Sequence, residues 1–261
     1  QFAIFENELY IIEVNPRASR TVPFVSKASG IPMAKVATRV MWQGGLREAL
    51  KFYDEFGVLV EEKGILKPRI KNHICVKESV FPFNKLAGAD LILGPEMKST
   101  GEVMGIGESF AKSFAKSQIG ASNALPSGGK VFLSLADHDK LRAVELARAL
   151  TSAGFSIAAT SGTHKLLGEN GIECEFVYKI SEGRPNIEDK LKNGEISLVI
   201  NTSDSKSNST DAAKIRQSVL RFRLPYFTTM KAAIAATRSI CSIKDDSALE
   251  VKTLQEYLSG R

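Results

Sequence analysis

Val131-Phe132-Leu133-Ser134-Leu135 is a short apolar run, and Leu141 to Ala153 is an amphipathic one stopped at Gly154. A second apolar run, Phe155-Ser156-Ile157-Ala158-Ala159, leads into Thr160-Ser161-Gly162-Thr163. Short apolar runs bounded by turn residues predict buried strands, and the longer stretch between them predicts a helix. The alternation carries on toward the carboxyl end. Helix is expected at Thr163 to Asn170, strand at Cys174 to Ile180, helix at Ile187 to Lys192 and strand at Ser197 to Asn201. A helix from Ala212 to Phe222, a short strand Pro225-Tyr226-Phe227-Thr228 and a helix from Met230 to Ile240 follow. Strands alternating with helices predict βαβ units, hence a parallel sheet covered on both faces. The last helix, Val251 to Leu258, is expected after the capping-box spacing Ser247 to Glu250.

Working back from Val131, residues 119–129 are small, polar and glycine-rich, a linker by composition. Ser109 to Gln118 has the composition of a helix, and Ile74 to Val80 reads as a strand stopped by Pro82. Between them lies the glycine-rich stretch Gly94 to Gly105. From Gln43 to His73 the pattern loosens, with a loop-like Glu61-Glu62-Lys63-Gly64. Helices are expected at Thr21 to Gly30 and Met33 to Met41. Phe2 to Phe5 and Leu9 to Ile12 read as two strands about an Glu6-Asn7 turn. Two domains are expected, divided near residue 121, with no internal repeat.

A chain of 261 residues with 43% hydrophobic and 25% charged residues has room for a substantial core, which argues against disorder. It contains no run of about 18 apolar residues, so no membrane-spanning helix is expected. Cys75, Cys174 and Cys241 are widely spaced without a CxxC, so neither a disulfide framework nor a zinc site is encoded. They are expected in the core of a cytoplasmic protein, and Trp42 is expected to pack. Gln1 stands inside an expected strand, so the chain is expected to be a piece of a longer one. The net charge of +6 does not point to nucleic acid, because the aromatics are not interleaved with the basic residues.

Glu13 and Asn15 lie two apart at a strand end and so project on one face. A carboxylate beside a carboxamide oxygen suits a hard cation such as Mg²⁺; a polar strand exit would look the same. Arg17 and Arg20 follow, able to fork onto phosphate or carboxylate. In the second half, strand ends terminate in Ser134, Thr160 to Thr163, and Asn201-Thr202-Ser203. Ligands of open parallel sheets sit at such carboxyl ends, where helix N-termini offer N–H groups, although Ser, Thr and Asn are also ordinary helix caps. Lys140 and Lys179 add charge there. His73, His138 and His164 are isolated, without metal-ligand spacing.

The run Glu13-Val14-Asn15-Pro16-Arg17-Ala18-Ser19-Arg20-Thr21-Val22-Pro23-Phe24-Val25-Ser26-Lys27 closely resembles the large subunit of carbamoyl-phosphate synthetase. The match returns at Val76-Lys77-Glu78 and at Phe81-Pro82-Phe83-Asn84-Lys85. It is strongest from Leu93-Gly94-Pro95-Glu96-Met97 through Lys98-Ser99-Thr100-Gly101-Glu102-Val103-Met104-Gly105. Thr160-Ser161-Gly162-Thr163, Glu182-Gly183-Arg184-Pro185 and Asn201-Thr202 extend it over nearly the whole chain.

The resemblance implies an α/β chain. Residues 1–121 would be a partial ATP-grasp subdomain (α+β), the end of the unit that phosphorylates carbamate. Residues 122–261 would be a Rossmann-like open parallel-sheet domain of the methylglyoxal-synthase type, with a regulatory role. It implies Mg²⁺ or Mn²⁺ and ATP at Glu13 and Asn15, with Arg17 and Arg20 holding phosphate or carbamate. It places a nucleotide effector, UMP or IMP, on Ser134, Lys140, Thr160, Thr163, Lys179, Asn201, Thr202 and Ser203. Ser203 replaces the Thr of the enteric pattern and keeps the hydroxyl. An ornithine-type effector would fall partly on Glu78, Tyr226 and Thr228. The implied partners are a small glutaminase subunit and the rest of the large chain, serving pyrimidine and arginine synthesis. The segment from Met41 to His73 is longer than in that family and is expected to be an elaborated surface loop. A free-standing methylglyoxal synthase would need an Asp in a Gly-Gly-Asp context, where this chain has Glu182-Gly183-Arg184-Pro185. A purely regulatory binding module is the third reading.

Overall fold

The computed structural model describes residues 1–54, 59–69, 72–83, 91–92, 98–202, 210–245 and 249–259. Two compact units emerge: Gln1–His73 with Val251–Arg261, and Ile74–Glu250. Residues 74–120, expected in the first unit, thus pack in the same unit as the parallel sheet.

In the first unit, β1 (Phe2–Phe5) and β2 (Glu8–Ile11) pair antiparallel about Glu6-Asn7. Both turn residues have positive φ, 49° and 65°, which matches the twist of a two-residue hairpin. Helix α1 (Thr21–Ser29) ends at Gly30, and α2 (Met33–Gln43) ends at Gly44. Both glycines are left-handed, the usual helix stop.

The stretch after α2 corrects the expected loop. It folds as α3 (Leu46–Asp54) and a hairpin of β3 (Leu59–Glu62) with β4 (Ile65–Pro68). Lys63 and Gly64, with φ of 52° and 76°, are the hairpin turn inside what read as a charged loop. Four-residue strands are too short for alternation to register, and the packing of their Leu59 and Leu66 with Ile31, Val36, Ala49 and Leu50 makes them stable. Trp42 is another correction: it is 89% exposed. Val36 and Val40 face the core, and a residue two beyond Val40 falls on the other side of the helix. The last helix, α10 (Leu254–Ser259), starts later than expected and its cap is different. Thr253 Oγ1 accepts the Glu256 N–H at 3.2 Å, and the Glu256 carboxylate accepts the Thr253 N–H at 2.6 Å. Ser247 lies outside the described residues.

The second unit opens with an antiparallel ribbon of β5 (Ile74–Val80) and β6 (Gly101–Gly107). The end of the glycine-rich stretch is therefore strand; residues 93–97 lie outside the described residues. Helix α4 (Phe110–Gly120), capped by Ser109, lies against the ribbon. Gly105 makes this approach possible, because a Cβ there would stand 1.9 Å from the Ser113 carbonyl oxygen.

The remainder is the expected parallel sheet. Its strands are β7 (Gly129–Ser134), β8 (Phe155–Ala159), β9 (Glu175–Phe176), β10 (Leu198–Asn201) and β11 (Tyr226–Phe227), in the order β11-β10-β7-β8-β9. The helices are α5 (Lys140–Ser152), α6 (Ser161–Glu169), α7 (Ile187–Lys192), α8 (Thr210–Phe222) and α9 (Met230–Asp245). Along β7, Val131 and Leu133 pack with Leu146 and Leu150 of α5 and with α9, while Phe132 packs with α7 and α8. Strand alternation thus feeds two cores, one on each face. Strand β9, expected from Cys174 to Ile180, keeps two residues at the sheet edge, and the chain goes on through single contacts of Val177 and Tyr178. The three cysteines are free and half-buried.

Candidate functional site

Strand β7 has β8 on one side and β10 on the other. Helix α5, which follows β7, packs on one face of the sheet, and α8, which follows β10, packs on the other. Connections that part in this way open a crevice beyond the carboxyl ends of β7 and β10. Ser134 and Asn201, the last residues of those strands, stand opposite each other in register.

Backbone and hydroxyl groups knit this edge together. Thr160 Oγ1 lies 3.4 Å from Ser134 Oγ, within hydrogen-bonding reach. Thr163 Oγ1 accepts the Leu135 N–H at 3.3 Å, and Thr202 Oγ1 accepts the Ala136 N–H at 3.0 Å. Thr160, Thr163, Asn201 and Thr202 are buried. The Thr160 side chain does not cap α6, so the first-turn N–H groups of that helix are not taken up by it.

Lys140, the first residue of α5, brings a positive charge to the same place. Its Nζ lies 3.0 Å from where a Cβ on Gly162 would stand, over the first turn of α6. The ammonium donates to the carboxylate of Asp137. That bond and the Lys140 charge hold the Asp137 carboxyl below its ordinary range. The structure therefore gathers Ser134, Lys140, Thr160, Thr163, Asn201 and Thr202. Lys179 is exposed beyond β9, and its backbone N–H donates to the Glu182 carboxylate at 2.9 Å. Ser203 lies outside the described residues.

Two acids escaped the sequence reading. Asp137 stands in a short 3₁₀ turn three residues before Lys140, where nothing in its spacing distinguishes it from a solvated turn acid. Asp211, in the first turn of α8, is buried and accepts a bond from the Ser181 hydroxyl. A helix-start acid gives no local sign that it will be covered.

Glu78 lies on β5, where its carboxylate accepts the Gln118 amide at 2.9 Å. Gln118 in turn accepts from Asn123 at 2.7 Å. Burial pushes the Glu78 carboxyl up, and the Gln118 bond partly offsets this. Tyr226 packs on the side of the sheet covered by α7 and α8, and Thr228 follows β11.

In the first unit, β2 ends at Ile11, so Glu13 and Asn15 lie beyond the strand rather than at its end. They nonetheless meet: the Asn15 amide donates to Glu13 Oε1 at 2.9 Å, with both side chains exposed. It is the amide nitrogen that faces the carboxylate. Glu13 and the Asn15 carbonyl oxygen are hard donors that fit a divalent cation only as part of a larger donor set, and no group of three or more His, Cys, Asp or Glu suited to a metal occurs among the described residues. Arg17 donates to the Ala18 carbonyl at 3.1 Å, and Arg20 immediately precedes α1.

Residues 142–228 match the family model described as MGS-like domain, and residues 1–49 match the one described as carbamoyl-phosphate synthase L chain, ATP binding domain. A carbamoyl phosphate synthase large chain from Campylobacter jejuni is 61% identical over 260 residues, covering 100% of this chain and 24% of that one. The chain belongs to the carbamoyl phosphate synthase large-chain family. A large chain from Helicobacter pylori is 52% identical over 258 residues, covering 99% of this chain and 24% of its own length. One from Aquifex aeolicus, named as the C-terminal section of the synthase large chain, is 48% identical and covers 98% of this chain and 49% of its own length. The chain thus spans 24% of the length of the first of these synthase chains. No helix among the described residues is long and apolar enough to cross a membrane.

Proposed function

We propose that this chain is the carboxyl-terminal part of a cytoplasmic, glutamine-hydrolysing carbamoyl phosphate synthase. Residues 1–121 end the ATP-dependent unit that phosphorylates carbamate, and residues 122–261 form a regulatory domain that binds UMP or IMP. The product serves pyrimidine and arginine synthesis. The partners are a small glutaminase subunit, which supplies ammonia, and the rest of the large chain.

The observation that carries the regulatory reading is the convergence at one sheet edge of Ser134, Thr160, Thr163, Asn201 and Thr202 with the Lys140 ammonium over the α6 N-terminus. Hydroxyls, helix N–H groups and a lysine are the donors a phosphate monoester takes. Lys179 belongs to the same proposed site, with Ser203 at its edge.

In the first unit, Glu13 and Asn15 are the groups that would hold Mg²⁺ or Mn²⁺, with Arg17 and Arg20 orienting the phosphate or carbamate. A bound cation would neutralise charge on the phosphoryl oxygens. The guanidinium groups would act alongside it, by holding anionic oxygens in line for transfer. Glu78, Tyr226 and Thr228 are proposed for an amine effector of the ornithine type.

Effector control requires different nucleotide affinity in two conformations of the chain. Calorimetric titration with UMP, and separately with IMP, tests the regulatory reading. Saturable binding of either supports it, and silence toward both removes it. A free-standing lyase of the methylglyoxal-synthase kind is disfavoured by Arg184-Pro185 where its catalytic acid would be needed.

A further inference from the structure

The contact between Lys140 and Asp137 has a bearing on how the regulatory site takes its ligand. Asp137 lies in the 3₁₀ turn Asp137–Asp139, directly ahead of α5, and its side chain is 90% exposed while that of Lys140 is 29% exposed. Asp139, two residues on, is turned toward His138 at 3.4 Å. The acid that meets the Lys140 ammonium is thus a solvent-facing one on a short turn. The ammonium it holds sits over the first turn of α6, close against Gly162. A helix N-terminus favours an anion, so a phosphate seated there would present its oxygens to the same ammonium.

We propose that Asp137 is a built-in competitor for the effector's phosphate, holding Lys140 in place until an anion displaces it and thereby setting the affinity of the site. The inference rests on the nucleotide-site reading above. Two like charges sharing one ammonium repel, so the bound state must either move the Asp137 carboxylate out toward water or tolerate that repulsion. Displacement is easy, because an exposed ion pair contributes little by itself. Asp137 therefore tunes the affinity rather than closing the site.

The test is calorimetric titration of the full-length chain with UMP, IMP and inorganic phosphate, for wild type, Asp137→Asn, Lys140→Ala and the double variant. Asp137→Asn should tighten binding about two- to fivefold, the scale of an exposed pair. The gain should vanish in the Lys140→Ala background. Unchanged or weaker binding by Asp137→Asn overturns the inference. The same gain with and without Lys140 also overturns it, since Asp137 would then act only as general surface charge. If wild type binds, Lys140→Ala weakens binding and Asp137→Asn moves nothing, the site reading stands and the competitor falls. If wild type binds none of the three ligands, both fall.

Discussion

The Thr202 hydroxyl accepts the backbone N–H of Ala136 at 3.0 Å, tying the end of β10 to the chain leaving β7. This bond, between residues 66 apart in sequence, spans the point where the two connections part to opposite faces. Thr202→Val keeps the shape and removes the acceptor, leaving the Ala136 N–H without it. A loss of ~1–2 kcal/mol in urea unfolding is expected. An unshifted urea midpoint would show that the bond does not stabilise the edge.

Lys140→Ala should leave the fold intact and weaken nucleoside-monophosphate binding by roughly 10- to 100-fold, the worth of a charge-assisted bond. Calorimetry reads this directly. Unchanged affinity would remove Lys140 from the site.

Gly162→Ala should separate stability from binding. A Cβ at this position would press on Lys140 Nζ at 3.0 Å and Cε at 3.6 Å, and the flexible lysine end can move aside. Alanine is the better helix former by up to about 1 kcal/mol, so stability should hold or rise. With the ammonium displaced, phosphate affinity should fall on the order of fivefold. Equal affinity in the variant would show that the close approach of Lys140 to α6 is immaterial.

Glu175 lies between Lys130 and Lys190, 2.5 Å from each. The bond from Lys130, then that from Lys190, lowers its carboxyl below the ordinary value. A group depressed in this way stabilises the fold above its unfolded value, about 4.3 for Glu, and the contribution disappears as pH falls through the folded value. Partial exposure keeps the effect modest. Glu175→Gln should lower the thermal midpoint at pH 7, and the gap from wild type should close below about pH 4. A gap that stays constant down to pH 3 would contradict the account.

Glu13→Gln in the full-length chain removes the charged member of the proposed cation pair. Carbamoyl phosphate synthesis should fall by roughly 100-fold or more, as when one preorganised charge stabiliser is removed. Excess Mn²⁺ should restore little of it. Near-normal turnover would contradict the metal assignment.

Much of this was legible in advance because the signals are local. Phe155–Ala159 and Ile187–Lys192 fall where the pattern puts them, since each is a run whose ends carry their own stop residues. The hairpin at Lys63-Gly64 was illegible because its strands are four residues long and borrow their stability from α2 and α3. Trp42 misled for a related reason: a large apolar residue suggests a core, but its place on α2 turns it outward. The same holds for the site. The hydroxyl residues at the strand ends were visible as a pattern, whereas Asp137 looks like any turn acid until Lys140 is seen to reach it.

The sequence by itself determined the alternation of strand and helix, the two-sided burial of the sheet and the family to which its long motifs belong. Those follow from periodicity and from runs of neighbouring residues, which any chain carries along its length. Only the tertiary structure decided that β10 lies beside β7, and so that Ser134, Thr160 and Thr202 share one edge with Lys140 over Gly162. Strand order depends on which apolar faces bury each other, and that is a property of contacts between distant residues rather than of any stretch read alone.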